Sequence, residues 1–373
     1  MTDAALPAVR VQGRSLWGDA WLRLRGNKAA TVSAAYLILM TLTCLIGPSL
    51  TGHEFTTINT DYVRVPPSLS SYPQGDEIES ALEDALVRAR VDLKSWSLEG
   101  DRVLVTVTSS RPIDERVTRY LDRSSTFENA AVEEKSADGQ AMTLSANIKR
   151  LFFFFGTDNN GRDLLTRTLV AGRISLAIGL LAGVVAVIIG VIYGATSGFL
   201  GGRVDEVMMR IVDILYSLPF IFFVILLVVF FGRNFVLMFV AVGAVLWLDM
   251  ARIVRGQTLS IKRQEYVQAA IALGVSPAAM LRRHIVPNTL GPVVIYMTLL
   301  VPQVIILESF LSYLGLGVQE PMASWGVLIA QGAKNIPSAN WLLIFPSIFL
   351  TTTLFALNFL GDGLRDALDP KDR

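Results

Sequence analysis

Of 373 residues, one is cysteine, Cys44, and two are histidine, His53 and His284. A single thiol excludes an intrachain disulfide and a cysteine-built metal centre. Two histidines far apart in sequence argue against a His-based zinc site. Charge is scarce as well. Asp, Glu, Lys and Arg make up 17% of the chain and balance to a formal net charge of +1, which gives no case for nucleic acid. No Gly-x-x-x-x-Gly-Lys-Ser/Thr loop occurs, so the chain is not expected to bind ATP itself. The expectation is a non-enzyme with no catalytic residue, metal or cofactor of its own.

What is present is apolar surface: 52% of residues are hydrophobic. Charges avoid long stretches, the mark of an integral membrane protein. A crossing takes about 20 mostly apolar residues. Six segments qualify, roughly 29–50, 174–198, 211–231, 235–253, 289–316 and 340–361. The first is too long, and begins too far into the chain, for a cleaved signal peptide. Arg14, Arg23, Arg25 and Lys28 precede it, so the positive-inside rule places the N-terminus in the cytoplasm. Six crossings return the C-terminus to the same side. The 254–288 loop is then cytoplasmic and carries Arg255, Lys262, Arg263, Arg282 and Arg283. The external loops at 232–234 and 317–339 hold only Arg233 and Lys334.

The predicted fold is an all-α polytopic membrane protein with six transmembrane helices and an inserted α+β domain. Residues 1–28 form a cytoplasmic segment, 29–50 the first crossing, 51–150 the insert, 151–363 the membrane core and 364–373 a cytoplasmic tail. Within the insert, Asp76 to Val91 reads as an amphipathic helix. Val103, Val105 and Val107 alternate as a strand after a turn at Glu99-Gly100-Asp101. Arg111 to Arg123 reads as a second helix, and Phe127 to Ala146 as a hairpin around Ala137-Asp138-Gly139-Gln140. Such a domain is either inert packing or a docking surface or lid for a partner.

One loop between spans is too long and regular to be a connector. Tyr266, Ala269, Ala270 and Leu273 recur at i, i+3, i+4, i+7 and share a face of a short helix that starts near Glu265. Gly274 can end it in the left-handed conformation. Ser276 reads as the next N-cap, with Pro277 at the first helical position. This second helix runs to about His284 and is expected to stop before Pro287. The result is a helix–turn–helix over 255–288 with a small-residue face. Membrane-surface helices are the plain alternative, but alanine binds lipid weakly and allows close approach of a partner.

Ionisable residues in or near spans are functional candidates, because a mid-membrane charge costs at least about 2.5–3.5 kcal/mol. Glu308, flanked by Val304-Ile305-Ile306-Leu307 and Phe310-Leu311, stands out as a pathway or interhelix polar group. Asp249 lies one turn from Arg252, which predicts an ion pair. Asp213 and Asp362 sit near span ends. The segment Gly156 to Asp163 reads as a turn and a helix start capped by Asp158 or Asn160. Gly179, Gly183, Gly190 and Gly194 predict close helix packing in the second span.

Gln268-Ala269-Ala270, Gly274 and Pro287 resemble the coupling-loop motif of ABC importer permeases: Glu-Ala-Ala, three residues, Gly, nine residues, Ile, one residue, Leu-Pro. The register matches. Gln268, His284 and Val286 stand where Glu, Ile and Leu are usual. Further stretches resemble the dipeptide/oligopeptide permease family: Gly156-Thr157-Asp158 with Gly161-Arg162-Asp163, Trp247 to Gly256, Arg283 to Asn288, Leu311 to Gly317, Ser324-Trp325-Gly326 and Asn358 to Arg373. With Arg14-Ser15-Leu16-Trp17, the tail is most similar to the oligopeptide permease C subunit. The segment 51–150 is longer than that subunit usually carries.

The resemblance implies the type I ABC importer permease fold in a bacterial inner membrane. The implied partners are a homologous second permease, two ATPase subunits that hold ATP and magnesium, and an extracytoplasmic peptide-binding protein. Short peptides would be the cargo, moved by alternating access; relatives carrying nickel chelates, glutathione or opines mark the alternative. Rival readings from other classes are a secondary transporter or channel that works alone, which calls for mid-membrane charges, and a scaffold whose working part is the insert.

Overall fold

The computed structural model describes residues 16–231 and 235–368. Arg14, Ser15, Arg233 and the last five residues of the tail lie outside that range. In chain order the helices are α1 (Leu16–Gly26), α2 (Lys28–Leu50), α3 (Gly75–Ala89), α4 (Thr118–Asp122), α5 (Leu164–Leu200), α6 (Gly202–Ser217), α7 (Phe220–Phe231), α8 (Phe235–Lys262), α9 (Glu265–Ala272), α10 (Pro277–Met280), α11 (Val286–Tyr313), α12 (Trp325–Ala333) and α13 (Trp341–Leu368). The strands are β1 (Asp92–Glu99), β2 (Arg102–Thr108), β3 (Phe127–Lys135) and β4 (Ala141–Ile148).

The chain divides into two compact units, one of residues 43–174 and 320–349, the other of the remainder. The first contains the mixed fold. Its four strands form an antiparallel sheet in the order β1-β2-β4-β3. Val103, Val105 and Val107 point to one side of β2 and are fully buried, as strict alternation requires. Ile78, Leu82 and Leu86 of α3 pack on that face with Met142 and Leu144 of β4. A capping box between Gln74 and Glu77 starts α3, and Arg90 ends it in the left-handed conformation.

The helix expected over 111–123 is much shorter. A 3₁₀ turn occupies Glu115–Val117, and only Thr118–Asp122 is α-helical. Pro112 disfavours helix at Arg111, and the Ile113 N–H is spent on the Gly139 carbonyl at 2.8 Å. Asp114 then caps the turn by accepting from the Arg116 N–H.

The same unit holds the start of α5. Asp163, not Asp158 or Asn160, is its cap, accepting from the Thr166 N–H at 2.7 Å and the Thr166 hydroxyl at 2.6 Å. Burial pushes the Asp163 carboxyl up from its ordinary range, against those two donors. Asp158 instead closes the preceding turn and pairs with Arg162 at 2.8 Å and with Arg167. Arg162 also donates to Glu320 at 2.9 Å, which holds that carboxyl below its usual range.

Four stretches among the described residues are long and apolar enough to cross a membrane: Lys28–Leu50, Leu164–Leu200, Pro277–Tyr313 and Trp341–Leu368. The segment expected as one span over 211–231 is broken. Leu218 precedes Pro219 and is extended, so α6 ends there and α7 begins afresh.

In the second unit, α5 packs tightly on two neighbours through its glycines. Gly179 and Gly183 face Val301 of α11. Gly190 meets Met250 of α8, and Gly194 meets the Ala251 backbone so closely that a Cβ would overlap it. Gly198 continues this row against Arg255 and Thr258. Small residues at four-residue spacing let helix backbones touch, which is how apolar helices associate without a hydrophobic drive.

Candidate functional site

The helix–turn–helix begins where α8 ends at Lys262. Gln264 is extended at the N-cap of α9, and its carbonyl accepts from the N–H groups of Val267 and Gln268. Val267 is fully buried in a cluster with Met280, Ile285 and Val254. Glu265, Tyr266, Gln268, Ala269 and Leu273 are exposed, and Leu273 is 85% accessible. Ala270 departs from the expected outward face. It is half-buried against the same cluster, because a helix of eight residues that buries Val267 turns the position three further on inward as well.

Gly274 has φ +79, the left-handed backbone the sequence predicts. The Val275 N–H reaches the Ala270 carbonyl, and the Gly274 N–H the Ile271 carbonyl. These two bonds are the Schellman pair, which satisfies the last carbonyls of α9 and fixes the angle of exit. Ser276 then adopts the extended N-cap conformation with Pro277 at the first helical position, but its side chain makes no cap bond. Its carbonyl accepts from the Met280 N–H at 2.9 Å.

The second helix does not stop before Pro287. A π-helical turn over Leu281–Ile285 joins α10 directly to α11, with Pro287 in the first turn of α11. Proline has no N–H and its ring clashes with the carbonyl four residues back. Widening the preceding turn relieves both, and π-turns are the usual single-turn form of such relief. The His284 carbonyl accepts from the Asn288 side chain at 2.6 Å. Arg282 and Arg283 are exposed, and the half-buried His284 ring lies 6.4 Å from that of Tyr266.

The polar groups pair differently from expectation. Arg252 binds Asp213 at 2.9 Å, not Asp249, and stacks its guanidinium over the Tyr216 ring. Asp249 is half-buried, and Asp362 is exposed. Glu308 is fully buried and accepts from the Ser312 hydroxyl at 2.6 Å, one turn along its own helix. Among the described residues no three of His, Cys, Asp and Glu converge as a metal cluster would require.

Three connections were not anticipated from the sequence. Arg255 of α8 forks both oxygens of Asp205 on α6 at 2.6 Å each, and Asp205 also accepts from Ser197 of α5. The Lys262 ammonium donates to the Phe199 carbonyl at 2.6 Å. Gln268 Nε2 donates to the Lys262 carbonyl at 2.6 Å. The only hint in the sequence was composition: a Lys or Arg in the last turn of a helix has a carbonyl to meet.

Long apolar helices packed through glycine define a polytopic membrane protein. The chain belongs to the family of binding-protein-dependent transport system inner membrane components, whose model matches residues 165–373. A second model, the N-terminal TM domain of oligopeptide transport permease C, matches residues 15–67. The chain is 44% identical over 365 residues to the oligopeptide transport system permease protein OppC of Escherichia coli, covering 98% of this chain and 94% of that one. Against OppC of Bacillus subtilis identity is 36% over 359 residues, covering 96% and 91%. The glutathione transport system permease protein GsiD of Pectobacterium atrosepticum is 38% identical over 218 residues, covering 58% of this chain and 72% of that one.

Most of segment 51–150 lies between the two family models, one of which ends at residue 67 and the other of which begins at residue 165.

Proposed function

We propose that this chain is the membrane-spanning permease subunit of an ATP-driven importer of short peptides. The observation that carries this reading is identity of 44% along nearly the full length of an oligopeptide permease. The chain would cross the membrane six times, with both termini and the 255–288 loop in the cytoplasm and the α3–β4 unit outside. A homologous permease would complete the pathway, and a peptide-binding protein would deliver cargo from outside. Two ATPase subunits would hold ATP and magnesium, one of them contacting the exposed Tyr266 and Ala269 of α9 and Leu273 at its C-terminal end.

A loop with no nucleotide site of its own receives work through contact. ATP would favour the ATPase arrangement that suits one permease conformation, and the equilibrium shifts only by that difference in affinity. A loop with a fixed exit angle at Gly274 and continuous helix through Pro287 suits rigid transmission. A glutathione cargo is the second reading, supported by the 38% identity to a glutathione permease.

The test is uptake of a labelled tripeptide by cells with and without this chain, repeated after ATP depletion. Uptake that requires both supports the reading. Uptake indifferent to the chain, with glutathione uptake lost in its absence, moves the cargo to glutathione. Chain-dependent uptake that survives ATP loss overturns the mechanism.

A further inference from the structure

Each helix end near the loop leaves carbonyls without a partner in its own helix. At the ends of α5 and α8 another helix supplies a missing donor. Lys262, in the last turn of α8, does not turn back on its own helix end. It reaches the Phe199 carbonyl in the last turn of α5 at 2.6 Å, with its ammonium 5.4 Å from the Phe199 ring centre. The Lys262 carbonyl in turn accepts from Gln268 on α9 at 2.6 Å. One residue therefore joins three helices in series, by its side chain to α5 and by its backbone to α9. The α5–α8 pair is already stiff: Gly190, Gly194 and Gly198 bring the backbones into contact, and Arg255–Asp205–Ser197 crosslinks them through α6.

The residue at 268 decides whether the series is closed. A carbonyl accepts and cannot donate, so its partner must carry a proton. Glutamine offers an amide N–H. An ionised glutamate offers only acceptors and would face the Lys262 carbonyl with like polarity.

Resting on the importer reading above, we infer that Lys262 and Gln268 are positioning residues that lock the loop helix α9 to the ends of α5 and α8, so that displacement of α9 by an ATPase moves both helices as one body. Loss of the link lets α9 move without its helices, so ATP is spent with less transport.

The experiment uses the complete transporter in proteoliposomes, in a Cys44→Ser background, with spin labels at Leu200→Cys and Ala272→Cys, both exposed. The label-to-label distance is read without nucleotide and with trapped ATP, beside tripeptide uptake per ATP hydrolysed. With Lys262 and Gln268 intact the distance is narrow and the same in both states. Lys262→Met and Gln268→Glu broaden it and lower uptake per ATP, by about ten-fold in Lys262→Met, which removes a charge-assisted hydrogen bond, and by less in Gln268→Glu, which removes a neutral one. Lys262→Arg, which keeps a donor of similar reach, retains both. Narrow, unchanged distances and an unchanged ratio in Lys262→Met overturn the inference. ATP hydrolysis without peptide uptake by the unsubstituted transporter sinks the peptide reading instead, and the distances still decide the link.

Discussion

Arg173 donates to the carbonyl of Cys44, at 2.6 Å from its Nε, and to the Leu45 carbonyl at the same distance. The Cys44 carbonyl needs an outside donor because Pro48, four residues on and inside α2, has no N–H to give it. Apolar surroundings supply no water to fill the gap, so a neighbouring helix must. Gly172 makes the approach possible, since a side chain there would collide with the Cys44 sulfur and with Trp325. Arg173→Met should therefore destabilise the protein by about 1–3 kcal/mol, the cost of a buried acceptor left unmet. Pro48→Ala restores the helix N–H and should recover most of that loss in the double variant. Thermal unfolding of the detergent-purified protein measures both, and a double variant no more stable than Arg173→Met would refute the pairing.

Gly274 gives the second prediction. At φ +79 a side chain costs about 1–2 kcal/mol, and nothing lies within 4 Å of the added Cβ, so the effect is backbone strain alone. Gly274→Asn should be milder than Gly274→Ala, since Asn tolerates the left-handed region. Recovery of the ATPase subunits with the purified permease is the readout. Equal recovery for both variants would argue against a required left-handed turn.

Ala269 and Ala270 adjoin in sequence but differ in surroundings. Ala269 is exposed, whereas Ala270 packs on the cluster around Val267. Ala269→Asp places an acid on the outer face without disturbing that packing. It should reduce ATPase co-purification while leaving thermal stability within about 0.5 kcal/mol, as surface changes do. Ala270→Asp buries an unpaired charge and should cost about 1–3 kcal/mol or more. If Ala269→Asp retained the ATPases fully, the exposed face of α9 would not be the docking face.

These contrasts show what could be read from residues alone. Gly274, Val103-Val105-Val107 and the α5 glycines announced their roles, because backbone conformation and periodicity are local properties. Pro287 misled, since a proline excludes an ordinary helical bond but not a π-turn, and nothing local selects between stopping and widening. The Arg252 and Arg255 pairings were hidden for a different reason. Asp249 is one turn from Arg252, yet Asp213, 39 positions away, wins because α6 lies alongside α8. Such choices depend on which helices are neighbours, and sequence spacing does not contain that. Ala270 turns inward because a helix as short as α9 that buries Val267 carries position 270 toward the same cluster.

The Asp205–Arg255 fork makes the last prediction. Arg255, through two hydrogen bonds, holds the Asp205 carboxyl below its ordinary range, with Ser197 adding a donor. A carboxyl whose folded pKa is depressed binds fewer protons when folded than when unfolded. Its stabilising contribution is therefore complete above the unfolded value, about 3.9 for Asp, and is lost as pH falls through the folded value. At pH 7 Asp205→Asn should lower stability by about 1–3 kcal/mol, the loss of a hydrogen-bonded charge partner that is partly open to water. The penalty should be unchanged between pH 7 and 5 and should shrink below pH 4, as the unsubstituted protein itself protonates. Unfolding temperatures of both proteins across that range test it. A penalty that stays constant down to pH 3 would mean that Asp205 acts through packing and not through its charge.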